Sequence, residues 1–144
     1  MPHLDKILWI SLGVALAAAL VFYIRRFRER RKFHVLAVAL FIAAAIYILF
    51  AIYEFHPLWL GIEVVGVLLF ALFIWMAYLH SFWFLVMGWL LHVLWDVGFR
   101  PVEVAPYVPS WYAWACVGFD VVIAGYTAVL LLRADPGKTQ PAEK

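Results

Sequence analysis

The sequence predicts an all-α integral membrane protein, a five-helix transmembrane bundle with its N-terminus outside and its C-terminus cytoplasmic. Three observations carry that reading. Hydrophobic residues make up 68% of the 144-residue chain and charged residues 14%, with a mean hydropathy of +0.97. A soluble domain carries about 25% charged residues and about half apolar ones. The apolar residues fall into five runs, each near the ~20 residues that a helix needs to cross hydrocarbon. Six of the eleven basic residues crowd into Arg25–Lys32, between the first two runs, and such a cluster marks a cytoplasmic flank rather than a nucleic-acid contact.

The first span is Leu4–Ile24. Its alanine-rich centre has the look of a signal-peptide cleavage region, but the positive charge follows the apolar run instead of preceding it. A basic octet just past a cleavage point would resist translocation, so a permanent anchor is expected. Gly13, Ala15, Ala17, Ala18 and Ala19 would let a neighbouring helix approach closely. The second span, Phe33–Tyr53, carries no charge, and Glu54–Pro57 forms a short turn with Pro57 suited to the first turn of a helix. The third span, Leu58–Leu79, contains Glu63, and His80–Ser81 is tight enough to make the third and fourth spans antiparallel neighbours. The fourth is Phe82–Phe99. Arg100–Ser110 follows, where Pro101, Pro106 and Pro109 forbid a continuous helix. It reads as an ordinary outer loop, with the alternative of a cap that turns Glu103 and Tyr107 inward. The fifth span is Trp111–Leu132, and the polar tail 133–144 is expected to be disordered. One transmembrane domain, 1–132, with a cytoplasmic tail is the resulting organisation.

Orientation follows from counting Lys and Arg. With the N-terminus outside, nine lie on the cytoplasmic side and two, Lys6 and Arg100, on the outer side. Trp59, Tyr107, Trp111, Tyr112 and Trp114 supply an aromatic belt at the outer boundary. The expected location is the cell inner membrane. No internal repeat supports an inverted-repeat transporter. The single cysteine, Cys116, excludes an intrachain disulfide and a cysteine metal cluster.

The chemistry-bearing stretch is Gly88–Asp96, in which His92 and Asp96 stand four residues apart, on one helical face, inside an apolar run. Ionisable groups in hydrocarbon are costly and usually mark a site. At about 1.5 Å rise per residue, Glu63 lies roughly 8 Å, Asp96 5 Å, His92 11 Å and Asp120 13 Å below the outer ends of their spans. Four ionisable groups from three helices are therefore expected in one slab of the outer half. Each has a small residue nearby: Gly88 in line with His92, Gly66 with Glu63, and Gly118, Ala124 and Gly125 near Asp120. Cys116, Asp120 and Thr127 share a face of the fifth span.

An acid in an apolar pocket stays protonated more readily than in water, so a carboxylic acid beside a carboxylate–histidine pair is an acid–base arrangement. The expectation is Asp120 or Glu63 as the acid and His92 held by Asp96 as the base. Trp89, Trp95, Arg100, Cys116 and Thr127 are candidates for lining a pocket for a small lipophilic substrate. Two alternatives stand beside this. The polar groups are interhelical glue in a homo-oligomer or in a non-catalytic subunit of a larger membrane complex, or they line an ion or metabolite conduit. A metal held by Glu63, His92, Asp96 and Asp120 lacks any H-x-x-x-H or E-x-x-H spacing, and only His92 is deep enough for a haem, so no cofactor is expected.

The stretches GWLLHVLWDVGF and VPSWYAWACVGFDVVIAGY resemble a family of small uncharacterised bacterial multi-spanning membrane proteins. Its pattern joins a Trp-Leu-Leu-His-x-x-Trp-Asp helix to a Val-Pro-x-Trp-Tyr…Cys-x-x-Phe-Asp…Ala-Gly-Tyr helix. The matching positions include Trp89, His92, Trp95, Asp96, Pro109, Trp111, Cys116, Asp120 and Tyr126. The resemblance covers the last third to half of the chain. It implies weight on His92, Asp96 and Asp120 and no particular reaction. Paired carboxylates among five helices look similar, without a shared motif, to membrane-embedded terpene cyclases and sterol isomerases.

Overall fold

The computed structural model describes residues 2–99 and 107–133. Arg100, Glu103 and the tail beyond Arg133 lie outside the described residues. Within them the chain is helical throughout, with no strand: α1 (Pro2–Ile24), α2 (Glu29–Tyr53), α3 (Pro57–Leu79), α4 (Trp83–Leu94, prolonged by a π-helical turn over Trp95–Phe99) and α5 (Ser110–Arg133). Four of these, α1, α2, α3 and α5, are long and apolar enough to cross a membrane, as a multi-pass membrane protein requires. The α4 segment is a shorter apolar helix, Trp83–Gly98. At most a third of each long helix's apolar window is buried within the chain. The remainder displays residues such as Phe22, Leu58 and Leu132, each more than 70% exposed. An apolar exterior of this extent is stable against lipid and not against water.

Two boundaries differ from the sequence expectation. Helix α2 begins at Glu29, so Arg30, Arg31 and Lys32 form its first turn instead of a connection. Arg and Lys are good helix formers whose long stems carry their charge out of hydrocarbon. Lys32 is nearly buried and pairs with Glu29 at 2.6 Å, and the Arg31 guanidinium lies 4.5 Å from the Phe27 ring centroid. The fourth span ends in a π turn rather than a continuous α-helix, with consequences for the site.

The turn between α2 and α3 closes with paired bonds, His56 N–H to the Ala51 carbonyl and Phe55 N–H to that of Ile52, both at 3.1 Å. This is the helix-ending pattern in which one residue takes a left-handed conformation. Here it is Phe55, at φ 53°. Pro57 then starts α3 where its missing N–H costs nothing.

The helices pack in the spatial order α1–α5–α4–α3–α2, and α2 also touches α4 and α5 to close the bundle. The main core gathers Leu36, Leu40, Phe70, Leu85, Trp89 and Ile123, with Phe33 and Phe82 stacked at 4.4 Å toward the Arg25–Lys32 end. A smaller core of Tyr47, Ala51, Tyr107 and Val108 lies toward the other end. The α1–α5 crossing is the closest in the bundle. A Cβ added at Gly13 would run into the Ala115 carbonyl oxygen, and one added at Gly118 into that of Ile10. Trp9 lies on Trp111, and Lys6 sits over the Trp114 ring, near the N-terminal ends of the pair.

Because both obstructing groups are backbone, no rotamer change relieves them. Gly118→Val is therefore expected to unseat α1 from α5. In detergent, cysteines placed at Trp9 and Trp111 in a Cys116→Ala background should crosslink readily with Gly118 present and lose crosslinking with the valine.

Candidate functional site

Helix α4 presents His92 one turn before its π segment. The ring is fully buried, with Phe70 at 4.9 Å and Tyr47 at 5.8 Å between centroids. His92 Nδ1 lies 2.7 Å from Asp120 Oδ2 on α5, a short charge-assisted hydrogen bond. Its distance to Asp96 Oδ2 is 3.6 Å, beyond hydrogen-bonding range. The partner of His92 is therefore Asp120 rather than the expected Asp96. With Asp120 ionised, Nδ1 donates and the lone pair of a neutral imidazole lies on Nε2.

Asp96 instead accepts from the Tyr47 hydroxyl of α2, at 2.7 Å on Oδ1. An α-helix places residues i and i+4 on one face, whereas a π turn winds more residues per turn and rotates the side chains beyond it. Trp95 and Asp96 open this turn. Asp96 faces α2, and Trp95 reaches α3, where its Nε1 donates to Glu63 Oε2 at 3.2 Å.

Glu63, 2% exposed, takes its second bond from the Tyr107 hydroxyl at 2.5 Å on Oε1. Gly66, three residues along α3, makes the space, since a Cβ there would stand 2.7 Å from Trp95 Cζ2. The buried His/Asp/Asp group is thus His92, Asp96 and Asp120, each fully buried, while Glu63 has its own separate bonds from Trp95 and Tyr107. Gly88 does not make room for the histidine; a Cβ there would meet Leu40 at 2.8 Å and Phe73 at 3.4 Å.

One apolar groove of about 340 Å³ touches this group. It runs between α1 and α2 over a floor from α5, with Gly13 and Leu16 on one wall, Ala39, Ala43 and Ile46 on the other, and Tyr112, Cys116, Phe119 and Asp120 beneath. Asp120 thus bonds His92 through Oδ2 and lines the groove, and its Oδ1 has no hydrogen-bond partner among the described residues. The other expected lining residues are placed differently. Cys116 is in the groove floor. Trp89 is wholly buried against Phe119, Trp95 is bound to Glu63, and Thr127 donates to the Ile123 carbonyl of its own helix at 2.7 Å. Arg100 is outside the described residues.

Tyr47 was not legible as a site residue. Its one signal is a tyrosine in mid-run with Ala43, Ala44 and Ala51 on the same side. As for metals, His92, Asp96 and Asp120 can each offer one ligand atom within 4.8 Å of one another. Three such donors are the number a catalytic zinc takes from protein. The 2.7 Å spacing of two of them is a hydrogen bond, so the residues also satisfy one another without an ion.

Neither a family model, nor a curated protein, nor a solved structure matches this chain.

Tyr47→Phe removes one bond to Asp96 and nothing from the groove. Polar contacts between membrane helices contribute about 0.6–1.7 kcal/mol, so the thermal midpoint in detergent should fall by a few degrees. Thr127→Val, which removes a bond within one helix, should lower it less.

Proposed function

We propose that this is an inner-membrane protein that binds a small lipophilic substrate in the α1–α2–α5 groove and exchanges a proton with it at Asp120. The observation that carries the reading is the double role of Asp120, which bonds His92 and also lines the groove. A substrate reaching this groove comes sideways from the acyl-chain region, because the walls are apolar along their length. Asp120 Oδ1 is the atom that gives or takes the proton, and the imidazole bonded to Oδ2 balances the change of charge. Tyr47 packs beside the imidazole and holds Asp96, whose Oδ2 lies 3.6 Å from His92 Nδ1, and Cys116 and Phe119 shape the floor around the reacting carboxyl. Substrates that fit are unsaturated hydrocarbons whose double bond shifts when the Asp120 carboxyl adds a proton to one carbon and, as the resulting carboxylate, removes a proton from another, so that acid and hydrocarbon are both restored. The resemblance to a family of small multi-spanning membrane proteins belongs to this reading and gives weight to His92, Asp96 and Asp120.

A second reading has its own observation. The polar groups bond each other directly across helices, Tyr47 to Asp96, His92 to Asp120 and Tyr107 to Glu63. That pattern suits a non-catalytic subunit of a larger membrane complex whose helices are clasped by buried polar bonds.

The two readings diverge in Asp120→Asn, which keeps the shape and one acceptor. Lipids extracted from purified protein, compared by mass spectrometry, should reveal a hydrocarbon enriched in Asp120→Asn over wild type, as unconverted substrate accumulates. Groove-filled Ala43→Phe should lose it. If all three proteins carry the same bulk lipids and Asp120→Asn melts far below wild type, the clasp reading replaces the substrate reading.

The topology that goes with the proposal puts the Arg25–Lys32 end in the cytoplasm and His56 outside. In a Cys116→Ala background, an impermeant thiol reagent added to whole cells should label His56→Cys and leave Arg28→Cys unlabelled. The reverse pattern would invert the assignment.

A further inference from the structure

A second cleft, of about 290 Å³, opens between α2 and α3 toward the Arg25–Lys32 end, well away from Asp120. Its walls are Ala37, Val38 and Phe41 on α2 and Ala71, Ile74 and Trp75 on α3. At one end stand His34 and Tyr78, with His34 Nδ1 2.9 Å from the Tyr78 hydroxyl, both included in the cleft's lining. Arg30 is one turn before His34, on the same face of α2. Arg30, His34, Val38 and Phe41 thus form one stripe at spacings of four, four and three, passing from charge to apolar surface.

From this arrangement we infer that the cleft binds one anionic phospholipid, its phosphate on Arg30, His34 and the Tyr78 hydroxyl and one acyl chain between α2 and α3. Charge complementarity names the occupant. Of the basic residues at this end, Lys32 is paired with Glu29, Arg26 donates to the Tyr23 carbonyl, and Arg31 lies over Phe27. Among the described residues no carboxylate pairs with Arg30. A cation at the end of an apolar cleft, beside a hydrogen-bonded His34–Tyr78 pair with one further N–H or O–H to donate, matches a phosphodiester joined to a hydrocarbon chain. The volume is close to the lower bound of small-molecule pockets, roughly 300 Å³, and suits a single chain rather than a bulky ligand. The surrounding basic octet adds long-range attraction for the same headgroup. This site is independent of the Asp120 groove and of the chemistry assigned to it.

Native mass spectrometry of the whole detergent-solubilised protein tests it, with phosphatidylglycerol and phosphatidylcholine of identical chains as probes. Phosphatidylglycerol should be retained preferentially. Arg30→Gln should cut its retention about five-fold, Arg30→Gln with His34→Gln should abolish the preference, and chain-blocking Ala71→Phe should reduce retention of phosphatidylglycerol without touching the charges. Thermal midpoints near wild type show that each variant is folded. Should the Arg30 variants fail that check, the wild-type preference and Ala71→Phe still decide. Equal retention of the two lipids, phosphatidylglycerol binding unchanged by Ala71→Phe, or equal competition by sn-glycerol 3-phosphate, which has no chain, overturns the proposal.

Discussion

The polar interior of the bundle depends on one hydrogen bond, between His92 Nδ1 of α4 and Asp120 Oδ2 of α5. In hydrocarbon neither side chain has water to turn to, so a buried imidazole and a buried carboxylate must satisfy each other. The bond joins the two helices on which the others lean. Helix α5 carries α1 through the glycine crossing, and α4 carries α2 and α3 through the Tyr47–Asp96 and Trp95–Glu63 bonds. Two buried polar pairs, Tyr47–Asp96 and His92–Asp120, thus join α2 to α4 and α4 to α5, with Asp96 Oδ2 3.6 Å from His92 Nδ1 between them. Individually these bonds are modest in energy. Their directionality is what hydrophobic packing cannot supply inside a membrane, where lipid is as apolar as any leucine.

The π turn lies where those pairs meet. His92 and Asp96 still face each other across the start of this turn, with Asp96 Oδ2 3.6 Å from His92 Nδ1. By rotating the backbone after Leu94, the turn sends two consecutive side chains to two different helices, Trp95 to α3 and Asp96 to α2. The Nδ1 of His92 is left to Asp120.

How far this was legible in the sequence differs by kind of information. The helices were legible because length and charge distribution declare a span without any periodicity, and apolar runs such as Leu58–Leu79 have residues of one kind all round. For the same reason, facial arguments inside those runs were weak. Of the small residues of α1 expected at a helix contact, Gly13 and Ala17 are buried and Gly13 meets the Ala115 backbone, whereas Ala15, Ala18 and Ala19 are exposed. Membership of the buried group was legible for His92, Asp96 and Asp120, since charge in hydrocarbon stands out in any sequence. Their pairing was not, because it depends on helix rotation, and no residue pattern in Trp95–Phe99 announces the π turn. Glu63 was expected beside the other three, but Trp95 and Tyr107 hold it instead. Tyr47 was missed because a tyrosine in an apolar run reads as packing.

The groove arises from the same small-residue contact that seats α1. Gly13 and Ala115 bring the backbones of α1 and α5 together, and both residues also line the groove. A helix drawn that tightly onto one neighbour is drawn away from the next, so α1 and α2 stay apart although consecutive in sequence. The alanines of α2 at 39 and 43 leave the gap unfilled, and the floor beneath it is the α5 face that bears Cys116 and Asp120. Close packing on one side of α5 and an open apolar cleft beside it are one geometric fact. That fact brings Asp120 into the groove lining, which does not include Tyr47, His92 or Asp96.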